Sequence, residues 1–142
     1  MTRFTTSRAW FLLAISLGLA APGLAAAAGF DGSRTLLCVP TDAIQCEGAG
    51  DCDRFEVEDL NFPKFVEVDF KAKQLKGTRE FGTTPEVTPI QNLQKLATGT
   101  IIQGVENGRG WSMLIDIETG DMSTAIAGDD VSFVMFGVCQ PR

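Results

Sequence analysis

Residues 108–139, GRGWSMLIDIETGDMSTAIAGDDVSFVMFGVC, decide the fold of this chain. Trp111, Met113, Ile115 and Ile117 are apolar and alternate with Ser112, Leu114, Asp116 and Glu118. This period of two is typical of a strand with one face in a core. The same alternation resumes at Met122 after a Thr119-Gly120 turn. Gly128-Asp129-Asp130 turns the chain again, so the stretch predicts three consecutive antiparallel strands.

The third of these strands, residues 131–139, is apolar on both faces. Such a strand needs cover on two sides, which predicts a position inside a sheet and not at its edge.

Residues 66–70 alternate clearly, and Asn107-Gly108 is a strong signal for a type I′ hairpin. Turn signals recur roughly every 8 to 12 residues. About eight short strands are therefore expected, and they predict one all-β domain, a small antiparallel meander that forms a barrel or a sandwich.

Four segments carry weaker signals. Residues 29–33 predict a loose arm, and residues 34–39 a first strand that ends at Pro40. Residues 79–89 contain threonines, prolines and a glycine without a period, which predicts the longest loop. Residues 90–98 fit either a helical turn or an irregular strand, and the sequence leaves this open.

Residues 1–28 have the organisation of a cleaved secretory signal peptide. Two arginines give a positive n-region, residues 9–19 form an apolar h-region, and residues 25–28 offer small-residue cleavage sites. The apolar run is short for a membrane span. We therefore expect a monomeric mature domain, residues 29–142, in the periplasm or the extracellular medium and without membrane attachment.

The expected mature domain is acidic. It holds ten basic and eighteen acidic residues, a net charge of −8, because both basic residues of the signal are removed with it. Nucleic acids and anionic membranes attract basic surfaces. The charge therefore argues against both as partners.

The four cysteines are expected to form two disulfides, because an even number of cysteines in an exported chain is typically oxidised. Cys46 and Cys52 flank a loop with two glycines, which lets the backbone return far enough for a bond. Cys38 then pairs with Cys139 and joins the first strand to the last. The chain has no histidine and no C-x2-C pair, so neither a metal site nor another cofactor is expected.

Little in the sequence predicts catalysis. Histidine and tyrosine are both missing from the chain, which removes the commonest general base. The carboxylates of Asp116, Glu118, Asp121, Asp129 and Asp130 lie at turns or on polar strand faces, where turn geometry and solvation explain them. We therefore expect no enzyme.

Arg109 and Trp111 are the one candidate binding surface. An arginine between two glycines and near a tryptophan could place its guanidinium over an aromatic face. The alternative is a surface arginine at a hairpin end and a tryptophan in the core.

Part of the C-terminal quarter resembles small exported bacterial proteins of unassigned function. The resemblance is carried by Gly110-Trp111-Ser112-x-x-Ile115-Asp116-x-x-Thr119-Gly120-x-Met122 and Phe133-x-x-Phe136-Gly137-x-Cys139. The outline of signal peptide, meandering sheet and first-to-last disulfide also resembles the periplasmic lysozyme inhibitors with a small β-barrel. That likeness implies a fold and no activity, since the tyrosine-containing and Ser-Gly-type loops of those inhibitors have no counterpart here.

Non-covalent binding is the function that these features favour. The first expectation is a protein-interaction module whose partner is an envelope or extracellular protein. The alternative is a carrier of a small apolar ligand in a barrel interior. A barrel of this size is nearly filled by its own side chains, so a closed, dry core would favour the first expectation over the second.

Overall fold

The computed structural model describes residues 29–48, 50–78 and 85–142. All regular secondary structure in these residues is β-strand. They contain no helix that is long and apolar enough to cross a membrane. The strands in chain order are β1 (Leu36–Glu47), β2 (Asp51–Phe55), β3 (Phe65–Asp69), β4 (Gln74–Thr78), β5 (Glu86–Pro89), β6 (Asn92–Lys95), β7 (Gly99–Glu106), β8 (Arg109–Asp116), β9 (Asp121–Ala127) and β10 (Val131–Pro141).

These strands form one antiparallel sheet in the order β5-β4-β3-β1-β10-β9-β8-β7-β6. β1 is long enough to pair on one side with β10 over its whole length. On its other side it pairs first with β3 and then with β2. The predicted all-β class is therefore confirmed, and the sheet curls into a half-barrel.

The two ends of the sheet order meet through the short link between β5 and β6. The backbone N–H of Ile90 donates to the carbonyl of Lys73 at 2.9 Å, on the β4 side. The next N–H, that of Gln91, donates to the carbonyl of Gln103 in β7, also at 2.9 Å. Because consecutive residues bond to opposite ends of the strand order, the concave face becomes an enclosed interior.

Apolar side chains that alternate along the strands fill this interior. The largest wholly buried ones include Leu36, Val68, Ile102 and Ile115. Burial of each such side chain stabilises the fold by about 1.5–3 kcal/mol. The core therefore joins the N-terminal strands of the sheet to its C-terminal strands.

Ten strands are present in the described residues where about eight were expected, because two short edge strands were missed. β5 lies in the segment predicted as a loop, and β6 makes residues 92–95 of the open segment 90–98 a strand. Each pairs on one side only and is largely exposed, so neither carries the alternation that marks a half-buried strand. Residues 79–84 of the predicted loop lie outside the described residues.

The prediction that the first strand ends at Pro40 was wrong. β1 continues to Glu47 through an irregularity in its pairing with β10, where Pro40 faces Gly137, Asp42 faces Phe136, and Thr41 is extra. A bulge tolerates proline because the ladder is interrupted there.

The prediction of a loose arm at residues 29–33 was also wrong. Phe30 is only 7% exposed, and its backbone carbonyl accepts a hydrogen bond from Thr100 Oγ1 at 3.3 Å. A Cβ at Gly120 would stand 2.5 Å from the Phe30 ring, so this glycine makes room for the aromatic side chain. The segment closes one end of the half-barrel.

β10 lies inside the sheet as predicted, between β1 and β9, but it is not covered on both faces. Its outward side chains Val134, Phe136 and Val138 are 38–45% exposed. On β8, Leu114 is 42% exposed and faces the same way, with the small Ser123 of β9 between Leu114 and Phe136. We call Leu114, Val134, Phe136 and Val138 the outer apolar patch.

Both predicted disulfides are confirmed. Cys38 bonds to Cys139 between β1 and β10 in the buried core, and Cys46 bonds to Cys52 across the β1–β2 hairpin. Disulfides persist in oxidising compartments and are rare in reducing ones. The chain therefore belongs in an oxidising, extracellular or periplasmic environment.

We predict that the long disulfide stabilises the fold more than the short one. The bonds span sequence separations of 101 and 6, and the chain-entropy relation gives about 4.7 and about 2 kcal/mol. In urea unfolding, the Cys38→Ala/Cys139→Ala variant should therefore lose more stability than the Cys46→Ala/Cys52→Ala variant. Equal losses, or the reverse order, would contradict this assignment.

Candidate functional site

The half-barrel is not filled at the end opposite Phe30. A cavity of about 130 Å³, partly open to solvent, lies there among the inward side chains of eight of the ten described strands. Apolar groups dominate its wall, among them Val66, Leu75, Met113 and Ile126. Binding pockets for small molecules are typically concave, apolar and marked by a few polar groups.

A glycine on β7 shapes one wall of this cavity. Gly104 faces Trp111 across the β7–β8 ladder. A Cβ at Gly104 would stand 2.5 Å from Cζ2 of the indole and 2.7 Å from the carbonyl oxygen of Pro89. The absence of a side chain therefore lets the indole lie over β7 and lets β5 approach.

Two polar atoms of the cavity wall have no hydrogen-bond partner among the described residues. They are Nε1 of Trp111 and Oγ1 of Thr124, in side chains that are 9% and 5% exposed. Leaving a buried donor or acceptor unpaired costs about 1–3 kcal/mol. Trp111 faces Ile126, and Thr124 faces Met113. Trp111 and Thr124 are thus diagonal neighbours on one inner face of the sheet, and the Cα atoms of such neighbours are about 7–8 Å apart.

The other polar groups at the cavity lie on its acidic side. The hydroxyl of Thr88 donates to Oε1 of Glu106 at 2.5 Å, which joins β5 to β7 where no ladder connects them. Glu86 lines the same side. In the described parts of the wall, these two glutamates are the only charged side chains.

Arg109 and Trp111, the predicted binding surface, are placed in different surroundings. Trp111 is buried in the cavity wall, whereas Arg109 is exposed and its guanidinium lies 6.0 Å from the ring centre of Phe133. Phe133 in turn packs edge-on against Phe62 of the cavity wall, with ring centres 5.2 Å apart. Arg109 therefore contacts the cavity only through two aromatic rings.

Sequence reasoning did not select Thr124, Thr88 or Glu106. Thr124 had a signal, because it is a polar residue at an inward position between Met122 and Ile126. Thr88 had none, since it lies in a segment predicted as a loop.

The carboxylate of Asp116 is hydrogen-bonded to backbone groups of the turn that follows it. Oδ1 accepts hydrogen bonds from the backbone N–H groups of Thr119 at 2.9 Å and Glu118 at 2.8 Å. These bonds, that of Thr119 first, hold the pKa of Asp116 below its ordinary value of 3.8. Within residues 29–48, 50–78 and 85–142, no cluster of three histidine, cysteine or acidic side chains could hold a metal ion.

No protein-family model, curated protein or solved structure matches this chain. Its function is therefore inferred from the geometry of the cavity and of the surface.

We predict that Asp116→Asn destabilises the protein at neutral pH more than in acid. Because the folded-state pKa is lowered, the ionised carboxylate contributes stability that is fully present above the unfolded-state value and is lost as the pH falls through the folded-state pKa. The difference in unfolding midpoint between wild type and variant should therefore shrink below about pH 4. Glu118→Gln is the control, because it removes an equal charge beside the same turn. An equal pH dependence in the control would show that turn hydrogen bonding is not the cause.

Proposed function

We propose that this protein binds a small, mainly apolar ligand in the cavity of its half-barrel. The observation that supports the proposal is the cavity itself, which departs from the filled core expected for a barrel of this size. An apolar cavity of about 150 Å³ in another protein is known to bind benzene. A volume of about 130 Å³ thus suits a ligand, or one group of a larger ligand, of about the size of a single ring.

The proposed role is binding and transport without chemistry. The polar groups of the cavity wall are few, and the chain contains no histidine that could act as a general base. An exported carrier in the periplasm or the extracellular medium agrees with the oxidised cysteines and with the predicted signal peptide, which lies outside the described residues. Its ligand would be an organic molecule of that compartment.

A second candidate function is recognition of an envelope or extracellular protein through the outer apolar patch. Exposed apolar side chains grouped on one face mark interaction sites more often than single ones do. Asp121 lies directly opposite Val138, and the whole chain has a net charge of −6. The partner that fits this surface is therefore a folded protein with an apolar centre and a basic rim.

We predict that filling the cavity abolishes ligand binding. Leu75→Phe adds volume to the wall, so the affinity for toluene, used as the probe, should fall by about tenfold or more, because overpacking costs 1–3 kcal/mol. Isothermal titration calorimetry measures the affinity, and circular dichroism checks the fold.

The matched control is Leu93→Phe. Leu93 is partly buried against the core but does not line the cavity, so this variant should bind toluene as the wild type does. A wild type that binds no toluene, or a Leu75→Phe variant that binds it normally, would refute the proposal.

We predict that Phe136→Ser weakens binding of a protein partner by about tenfold or more, as expected for an aromatic residue at the centre of an interface. Capture from envelope extract with wild type and variant, followed by an affinity measurement on the captured protein, tests this. Val87→Ser removes an exposed apolar side chain from edge strand β5, outside the patch, and serves as the control. A partner that is lost from both variants, or from neither, would exclude the outer apolar patch as its docking site.

A further inference from the structure

We propose that the cavity selects an uncharged ligand whose carbonyl oxygen pairs with Trp111 Nε1 and Thr124 Oγ1. This inference depends on the proposed function, since it names the chemical class that the same cavity takes. Its starting point is that two buried polar atoms, in residues of the wall, lack a partner among the described residues, beside a mainly apolar space.

The chemistry of the two groups defines what they can bind. An indole N–H is a donor only, whereas a threonine hydroxyl can donate or accept. A carbonyl oxygen has two lone pairs and can accept from both. As diagonal neighbours on β8 and β9, the two side chains project from the same inner face and can converge on a single oxygen.

The remaining polar groups of the cavity do not compete for this oxygen. The Thr88 hydroxyl donates to Glu106, so its proton is already used. The residues that face Trp111 and Thr124 across the β8–β9 ladder, Ile126 and Met113, have apolar side chains and also line the cavity. The ligand therefore carries its oxygen toward Trp111 and Thr124 and its apolar body toward the other side chains.

The charge of the wall disfavours anions. Glu86 and Glu106 are its only charged side chains in the described residues, and the half-buried Glu106 would repel a carboxylate ligand. The class that fits is a small neutral ketone, ester or amide with a cyclic or branched hydrocarbon body.

The test compares two probes of similar size, cyclohexanone and methylcyclohexane, in the full chain and its Thr124→Val variant. Valine keeps the shape of threonine and removes the hydroxyl. The variant should bind cyclohexanone about three- to tenfold more weakly, because that factor corresponds to the usual net contribution of one hydrogen bond. Its affinity for methylcyclohexane should stay the same or rise.

The indole N–H gives an independent signal. In a Trp10→Phe background Trp111 is the only tryptophan, so nuclear magnetic resonance shows a single indole N–H resonance. Cyclohexanone should move this resonance downfield as a hydrogen bond forms, and methylcyclohexane should not. Without ligand, Thr124→Val should unfold at the same temperature as wild type or higher, because it removes an unpaired buried group.

The outcomes separate this inference from the proposed function. If both probes bind and Thr124→Val affects them equally, or the indole resonance does not distinguish them, the selectivity is refuted while the ligand-binding proposal stands. If neither probe binds the wild type, the proposed function fails as well.

Cyclohexanecarboxylate is the anionic probe. It should bind more weakly than cyclohexanone and gain affinity in Glu106→Gln, and tighter binding of the anion to the wild type would refute the charge argument.

Discussion

The ladder between β1 and β10 is the interaction on which the rest of the structure depends. It brings together residues about a hundred positions apart, and closing so long a loop costs conformational entropy before any contact is gained. The Cys38–Cys139 bond lies within this ladder and restricts the unfolded chain most strongly at that point. With β1 held against β10, the N-terminal strands and the C-terminal meander become one sheet. The concave face of that sheet can then enclose a core and a cavity.

Hydrophobic alternation predicted those parts of the fold in which burial of one face decides the structure. It located β8 to β10, and the Asn107-Gly108 turn has the positive φ angles, 48° and 77°, that a type I′ hairpin requires. It failed where tertiary contacts decide. β5 and β6 are defined by their partners and by the link that joins the two ends of the sheet, and Phe30 is buried only because Gly120 leaves room for its ring.

The candidate site was less accessible to sequence reasoning than the fold, because a cavity is the space that remains after eight strands have packed. Trp111 was selected, but it was paired with Arg109 on the strength of their nearness in sequence. In the structure the guanidinium of Arg109 lies near the ring of Phe133, whereas Trp111 lies opposite Gly104 in the β7–β8 ladder. Thr124, like Thr100, breaks the inward apolar pattern as a polar side chain at a core position. Thr100 donates to the carbonyl of Phe30, whereas Thr124 has no hydrogen-bond partner among the described residues. That kind of mismatch between local pattern and global fold is where a functional group is expected.

The two candidate functions use opposite faces of the same strand. Met135 of β10 lines the cavity, and the next residue, Phe136, belongs to the outer apolar patch. A slip of one residue in the pairing of β10 would exchange these faces, because the side-chain period of a strand is two. Three features hold the register: the disulfide at Cys38 and Cys139, the bulge at Pro40, and Gly137 opposite it, where an added Cβ would collide with the carbonyl of Val39. The residues that fix the fold thus also decide which side chains face a ligand and which face a partner.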